Sequence, residues 1–252
     1  MKFNFKNRVR NFKFSSSDVF VPLHEAIMNS IQAIEERGNF NDSQIKIKIE
    51  RDSYRIYLLK GLHMKTTVCL IRHGQTNWNK CYIIQGRYDK ELNQDGINQI
   101  VTTAERLKSL NINWDIYLSS PLSRAVNSCK IIKKTLTGND NNIIVRDNLT
   151  ERMFGIAEGL VICDDVYERI LKDFYEGMES TEEIRKRAMN EILAIAKEYS
   201  GKNILITTHS HFIKGLFTAI DPQITFQSYL ANGGLNFVEV EDGKIISHRF
   251  NQ

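Results

Sequence analysis

Two periodicities alternate along most of this chain. Short apolar runs predict strands at Thr67–Ile71, Trp114–Leu118, Asn142–Val145 and Asn203–Thr207. Between them lie stretches with apolar residues three and four apart, as on a helix with one buried face. Ile97, Ile100, Val101, Ala104 and Leu107 fall this way in a helix predicted over Asn93–Leu110. A second helix is predicted over Pro121–Leu136, with proline in the first turn, where its missing N–H is harmless. Ser180-Thr181-Glu182-Glu183 opens a third, which runs to about Tyr199 before Gly201 stops it. Phe212–Ala219 predicts a short fourth. Leu235–Val240 and Lys244–Arg249 then predict a hairpin around Asp242-Gly243, a favoured turn pair. Alternating strands and helices predict an α/β fold: a three-layer α/β/α sandwich with a mostly parallel sheet covered on both faces.

The first quarter reads differently. Apolar residues at helical spacing predict a helix over Val19–Ile34, with Pro22 near its start. Ile45, Ile47 and Ile49 alternate with charged residues, and Tyr54–Leu59 returns as a second strand. One helix and one hairpin are too little to close a core. The break falls near Gly61–Met64, so residues 1–63 are expected to form a small α+β appendage before a domain over 64–252.

Composition excludes several classes. The chain has 252 residues, 42% hydrophobic and 25% charged, with 3 Pro and 14 Gly, as in an ordinary globular protein. No apolar run approaches a membrane span and no signal-peptide core follows the basic N-terminus, so a cytoplasmic protein without a membrane partner is expected. Cys69, Cys81, Cys129 and Cys163 show no paired spacing, which predicts reduced, mostly buried thiols and neither a zinc site nor any other metal site. The net charge of +4 comes from 11 basic against 7 acidic residues in 1–63, leaving 23 against 23 in 64–252. A neutral main domain gives no reason to expect nucleic acid. An anion site there must be a local cluster of cations.

Such a cluster is legible. Ligands of an open α/β sheet bind beyond the carboxyl ends of its strands. Those ends are followed by Arg72-His73-Gly74, by Ser119-Ser120 leading to Arg124, by Leu149-Thr150-Glu151, and by Thr208-His209-Ser210-His211. Two arginines offer planar forks for phosphate oxygens. A neutral imidazole is a competent nucleophile, a second histidine adds donors, and a carboxyl group can protonate a leaving alkoxide. These residues suit phosphoryl transfer without a cofactor, though spacing alone does not say which histidine attacks.

The sequence resembles the histidine phosphatase superfamily, the phosphoglycerate-mutase-like fold, from about Thr67 to the C-terminus. Arg72-His73-Gly74 with Thr76 and Asn79 carries the likeness, as do Ile84-Gln85-Gly86-Arg87-Tyr88-Asp89, Ser119–Ala125, Leu149-Thr150-Glu151 with Phe154–Gly159, and Thr208-His209. The resemblance implies that His73 is the nucleophile, that Arg72, Arg124 and His209 clamp phosphate, and that Glu151 donates the proton. It makes Asn79, Gln85 and Gly86 secondary contacts. The family often has glycines after the second histidine. Here His211 either lines the entrance and touches substrate or fills space. His24, His63 and His248 read as structural or surface residues.

The family includes mutases as well as phosphatases. The 58 positions from Glu151 to His209 leave room for only a short lid, and the stretch Leu160–Glu179 is acidic, without the set of cationic residues expected around a bisphosphate. Both features favour hydrolysis of a small phosphorylated molecule, with phosphoglycerate mutation and a catalytically weak phosphate-binding regulatory module as the alternatives. Residues 22–33 resemble the first motif of GHKL-type ATPases, with Glu25 and Asn29 four apart. Gln32 stands where that family has Asp, and its later glycine motifs are absent. Residues 1–63 also read as a fusion fragment, a misjoined reading frame, or a docking module whose open hairpin edge would take a partner such as a second copy in a homodimer.

Overall fold

The computed structural model describes residues 64–252 and the backbone of two short strands before them. The chain divides into two units, Met1–Met64 and Lys65–Gln252. In the first, β1 (Lys46–Ile49) pairs antiparallel with β2 (Ile56–Leu59), placing Lys46 opposite Leu59 and Ile49 opposite Ile56. The expected helix over 19–34, the Glu25–Asn29 spacing, His24 and His63 lie outside the described residues.

In the second unit β3 (Thr66–Arg72) is followed by a single turn, α1 (Asn77–Lys80), and by α2 (Gln94–Ser109). Next come β4 (Ile116–Ser119), α3 (Ser123–Thr137) and a two-residue β5 (Ile144–Val145). Then follow α4 (Asp164–Leu171), α5 (Thr181–Glu198), β6 (Asn203–Thr208) and α6 (Ser210–Ile220). The chain ends on β7 (Leu235–Glu241) and β8 (Lys244–Arg249). The six strands stand in the order β5-β4-β6-β3-β7-β8. The first four run parallel and the β7–β8 hairpin closes one edge antiparallel. Asp242 and Gly243 both take positive φ, 50° and 72°, as a tight two-residue turn requires.

Strand alternation sorts the core into two layers. Val68 and Leu70 of β3 face one side with Ile204 and Ile206, under Ile184, Ile192 and Phe212 of α5 and α6. Cys69 and Ile71 face the other with Leu205, under Ile100, Leu107 and Ile132 of α2 and α3. The sheet is thus covered on both faces, as its near-continuous apolar strands require.

Several expectations shift. Pro121 does not sit in the first turn of α3. The helix begins at Ser123, because Ser120 Oγ accepts from Leu122 N–H at 3.3 Å and turns the chain first. Asp89 from a distant segment then accepts from Ser123 N–H at 2.8 Å and caps the helix. Helix α6 starts two residues before Phe212, for a reason given below. The acidic stretch 160–179 contains α4, which begins with Asp164 and Asp165 at its favourable positive end. The thiols divide evenly: Cys69 and Cys129 are buried, whereas Cys81 and Cys163 are exposed because they flank the ends of α1 and α4 at the surface. No helix among the described residues is long and apolar enough to cross a membrane.

Candidate active site

The carboxyl ends of three neighbouring parallel strands build the centre. β3 ends at Arg72, β6 leads into His209, and β4 leads through Ser119-Ser120 to Arg124 on the first turn of α3. His73 N–H continues the ladder by donating to Thr208 O at 3.0 Å, which sets the two histidine rings 5.1 Å apart, edge to face.

Each group is held by its neighbours. His73 Nδ1 lies 2.7 Å from Gly74 O. A carbonyl only accepts, so Nδ1 carries the proton and Nε2 keeps its lone pair. Arg124 Nε reaches that Nε2 at 3.2 Å, while its other nitrogens donate to Tyr88 O and Gly86 O, both at 2.8 Å. Arg72 Nη1 donates to Leu230 O at 2.6 Å. His209 Nε2 lies 2.7 Å from Ser120 Oγ. Arg72 Nε and His209 Nδ1 are buried without a partner among the described residues. Such orphans in the middle of a site call for a ligand to satisfy them.

Glu151 occupies the N-terminus of α6. Its Oε1 accepts from Arg152 N at 2.9 Å, His211 N at 3.0 Å and Phe212 N at 3.3 Å. The carboxylate thereby caps α6 in place of its N-cap residue, His209, whose side chain makes no cap bond. That is why the helix starts at Ser210. All three bonds fall on one oxygen, so Oε2 is left to exchange a proton.

Burial sets the charges. It pushes His73 well below the ordinary imidazole value, and Arg124 and Arg72 push the same way. His209 is lowered well below it by burial and by Arg124. Burial raises Glu151 above the usual carboxylate value against the pull of its N–H donors and the two arginines. Burial also lowers Arg124 to about 10. Near neutral pH the centre therefore holds a neutral nucleophilic imidazole, two guanidiniums and a carboxyl group that binds its proton more tightly than a free carboxyl group does.

The remaining candidates fall around this centre in different roles. Gln85 Oε1 accepts from Thr76 Oγ1 at 2.9 Å, and Asn79 Oδ1 accepts from Thr76 N at 3.2 Å, completing the cap of α1. Gly86 presents its carbonyl to Arg124 at φ +51°, with Glu158 pressed where a Cβ would stand, 2.0 Å away. The His211 ring packs between Phe154 and Phe226, at 5.0 and 5.1 Å, with a buried, unpartnered Nδ1. His248 pairs with Asp221 at 3.0 Å, away from the centre. No three His, Cys, Asp or Glu side chains among the described residues come together as a metal site.

Sequence reading missed several supporting residues. Ser120 orients His209, Asp89 caps the helix that carries Arg124, and Glu158 Oε1 ties Arg87 N to Phe154 N, both at 3.1 Å. Arg187 donates to backbone carbonyls beneath Glu151. Ser120, Asp89 and Glu158 lie inside the segments that carry the resemblance, but nothing local shows which distant group each one holds, and Arg187 lies outside those segments. Beside this framework lies an open cavity of about 540 Å³, lined in part by Arg87, Met153, Glu179 and Arg187.

Residues 68–252 match the family described as the histidine phosphatase superfamily, branch 1. The chain belongs to that superfamily. A phosphatase of Bacillus subtilis, described as the uncharacterized phosphatase PhoE, is 35% identical over 182 residues, 71% of this chain and 91% of the relative. The metal-independent phosphoserine phosphatase of Arabidopsis thaliana is 30% identical over 192 residues, 72% of this chain and 79% of that one. Among solved structures, the phosphoserine phosphatase of Entamoeba histolytica, as a mutant in complex with phosphoserine, superposes with a TM-score of 0.61 at 28% identity, covering 74% of this chain and 97% of the other. The sheet and helices above are thus the phosphoglycerate-mutase-like fold, and this histidine phosphatase is a phosphoric monoester hydrolase.

Proposed function

We propose that hydrolysis runs through a phosphohistidine on His73, within residues 64–252, and that the substrate is a small phosphorylated carboxylic acid of the phosphoserine type. One observation carries the reading: a buried, neutral His73 whose unprotonated Nε2 faces the Arg124 guanidinium. The Arabidopsis thaliana relative named for phosphoserine, and the Entamoeba histolytica enzyme's complexes with phosphoserine and with 3-phosphoglyceric acid, support the substrate class.

In the first step Nε2 forms the bond to phosphorus while the ester P–O bond breaks. The leaving oxygen takes its proton from Glu151 Oε2. Arg72, Arg124 and His209 hold the phosphoryl oxygens as charge develops on them. In the second step the Glu151 carboxylate takes a proton from water, whose oxygen attacks phosphorus as the N–P bond breaks. Phosphate leaves, and His73 and the protonated Glu151 are restored. Asn79, Gln85 and Gly86 support the phosphate pocket through Thr76 and Arg124, and His211 packs beside the Glu151 carboxyl group that its N–H holds.

The test is a panel of phosphomonoesters with EDTA present, assayed on the full chain and on residues 64–252. Both forms should release phosphate from phosphoserine, and EDTA should change nothing. His73→Ala should lose at least about a thousandfold in kcat. Activity within threefold of the unsubstituted chain would end the mechanism. Isomerisation of 3-phosphoglycerate with a bisphosphate primer, in place of phosphate release, would make the chain a mutase.

A further inference from the structure

Residues 150–153, which carry Glu151, belong to no helix or strand. A proton donor must nevertheless hold one oxygen within a fraction of an ångström of the leaving group. Arg187, in the second turn of α5, meets that need. Its side chain is only 16% exposed. Nη1 donates to Asn148 O at 2.7 Å and to Thr150 O at 2.9 Å, and Nη2 reaches Glu151 O at 3.4 Å. The opposite edge forms a two-point pair with Glu179, Nε to Oε1 at 2.7 Å and Nη2 to Oε2 at 2.8 Å. Glu179 belongs to the same frame, because its N–H donates to Met153 O at 2.8 Å. The guanidinium also lies 5.5 Å from the ring of Phe212, whose N–H holds Glu151 Oε1. One rigid fork thus grips the backbone beneath the carboxyl group and packs on a residue that orients it.

We propose that Arg187 is the positioning residue for Glu151: it fixes the loop so that Oε2 faces the leaving group. This rests on the reading of Glu151 as the proton donor. A lysine keeps the charge but cannot span three carbonyls and two carboxylate oxygens at once.

The experiment compares the full chain with Glu151→Gln, Arg187→Lys and the double variant, on an alkyl phosphate and on p-nitrophenyl phosphate, whose leaving group needs little protonation. Arg187→Lys should lower kcat/KM on the alkyl phosphate about tenfold, while kcat/KM on p-nitrophenyl phosphate, which reports the first step alone, stays within about threefold. In the double variant it should add no more than about twofold to the loss from Glu151→Gln, because both act on one proton. Glu179→Gln, which leaves the carbonyl contacts in place, should show the same selectivity in weaker form and serves where Arg187→Lys fails to fold. Equal losses on both substrates, or losses that add in the double variant, would overturn the role of Arg187 while a selective Glu151→Gln left the donor in place. An unselective Glu151→Gln would overturn both readings.

Discussion

The site depends on groups whose charge is set by burial against the tendency of water. His73 is neutral because its proton sits on Nδ1 against Gly74 O and two guanidiniums discourage a second. Glu151 is biased the other way, since desolvation outweighs its N–H donors. The pH profile follows from that sign. The first step needs Glu151 protonated, so kcat/KM on an alkyl phosphate should fall as pH rises through its raised pKa. Glu151→Gln should flatten that limb and barely alter the kcat/KM profile for p-nitrophenyl phosphate, as measured by initial rates at low substrate from pH 4.5 to 8.5. At this scale the five central residues were legible because each lies within six positions of the carboxyl end of a predicted strand. The roles of Asp89, Glu158 and Arg187 were not, since a charge that holds a backbone group tens of positions away looks like any surface charge in the sequence.

Helix ends decide how accurately the elements present these residues. Helix α5 was legible from Ser180 and Glu183, which form a reciprocal cap: Ser180 Oγ accepts from Glu183 N at 3.2 Å, and Glu183 Oε2 accepts from Ser180 N at 2.7 Å. Ser180→Ala should cost about 1 kcal/mol, seen as a drop of about 2–4 °C in Tm for a unit of this size. Because α5 carries Arg187, a larger loss in turnover than in stability would tie the cap to the site. Helices α3 and α6 were misplaced by two residues for a common reason. Their first N–H groups are satisfied from elsewhere, by Asp89 and by Glu151, so the local sequence lacks the usual signal.

At the scale of the whole molecule, three buried imidazoles among the described residues make stability depend on pH. His73, His209 and His211 are each held below the ordinary histidine value, chiefly by burial. The unfolded chain takes up these protons near pH 6.5 while the folded chain refuses them to lower pH, so their contribution is present above that value and lost as pH falls below it. Glu151, raised in the fold, opposes this with one group against three. Thermal unfolding at pH 7.5 and 5.5 should therefore give a lower Tm at 5.5, and His211→Phe should reduce the difference. An unchanged or higher Tm at 5.5 would show that these imidazoles are protonated in the fold. The sequence by itself determined the layered α/β order, the parallel core strands and the chemical identity of the central cluster, because periodicity and strand-end position are local properties of the chain. Only the tertiary structure decided which nitrogen of His73 is free, which oxygen of Glu151 can move a proton, and which distant side chains hold them. Hydrogen bonds between residues tens of positions apart and desolvation by the packed fold leave no mark in the order of residues.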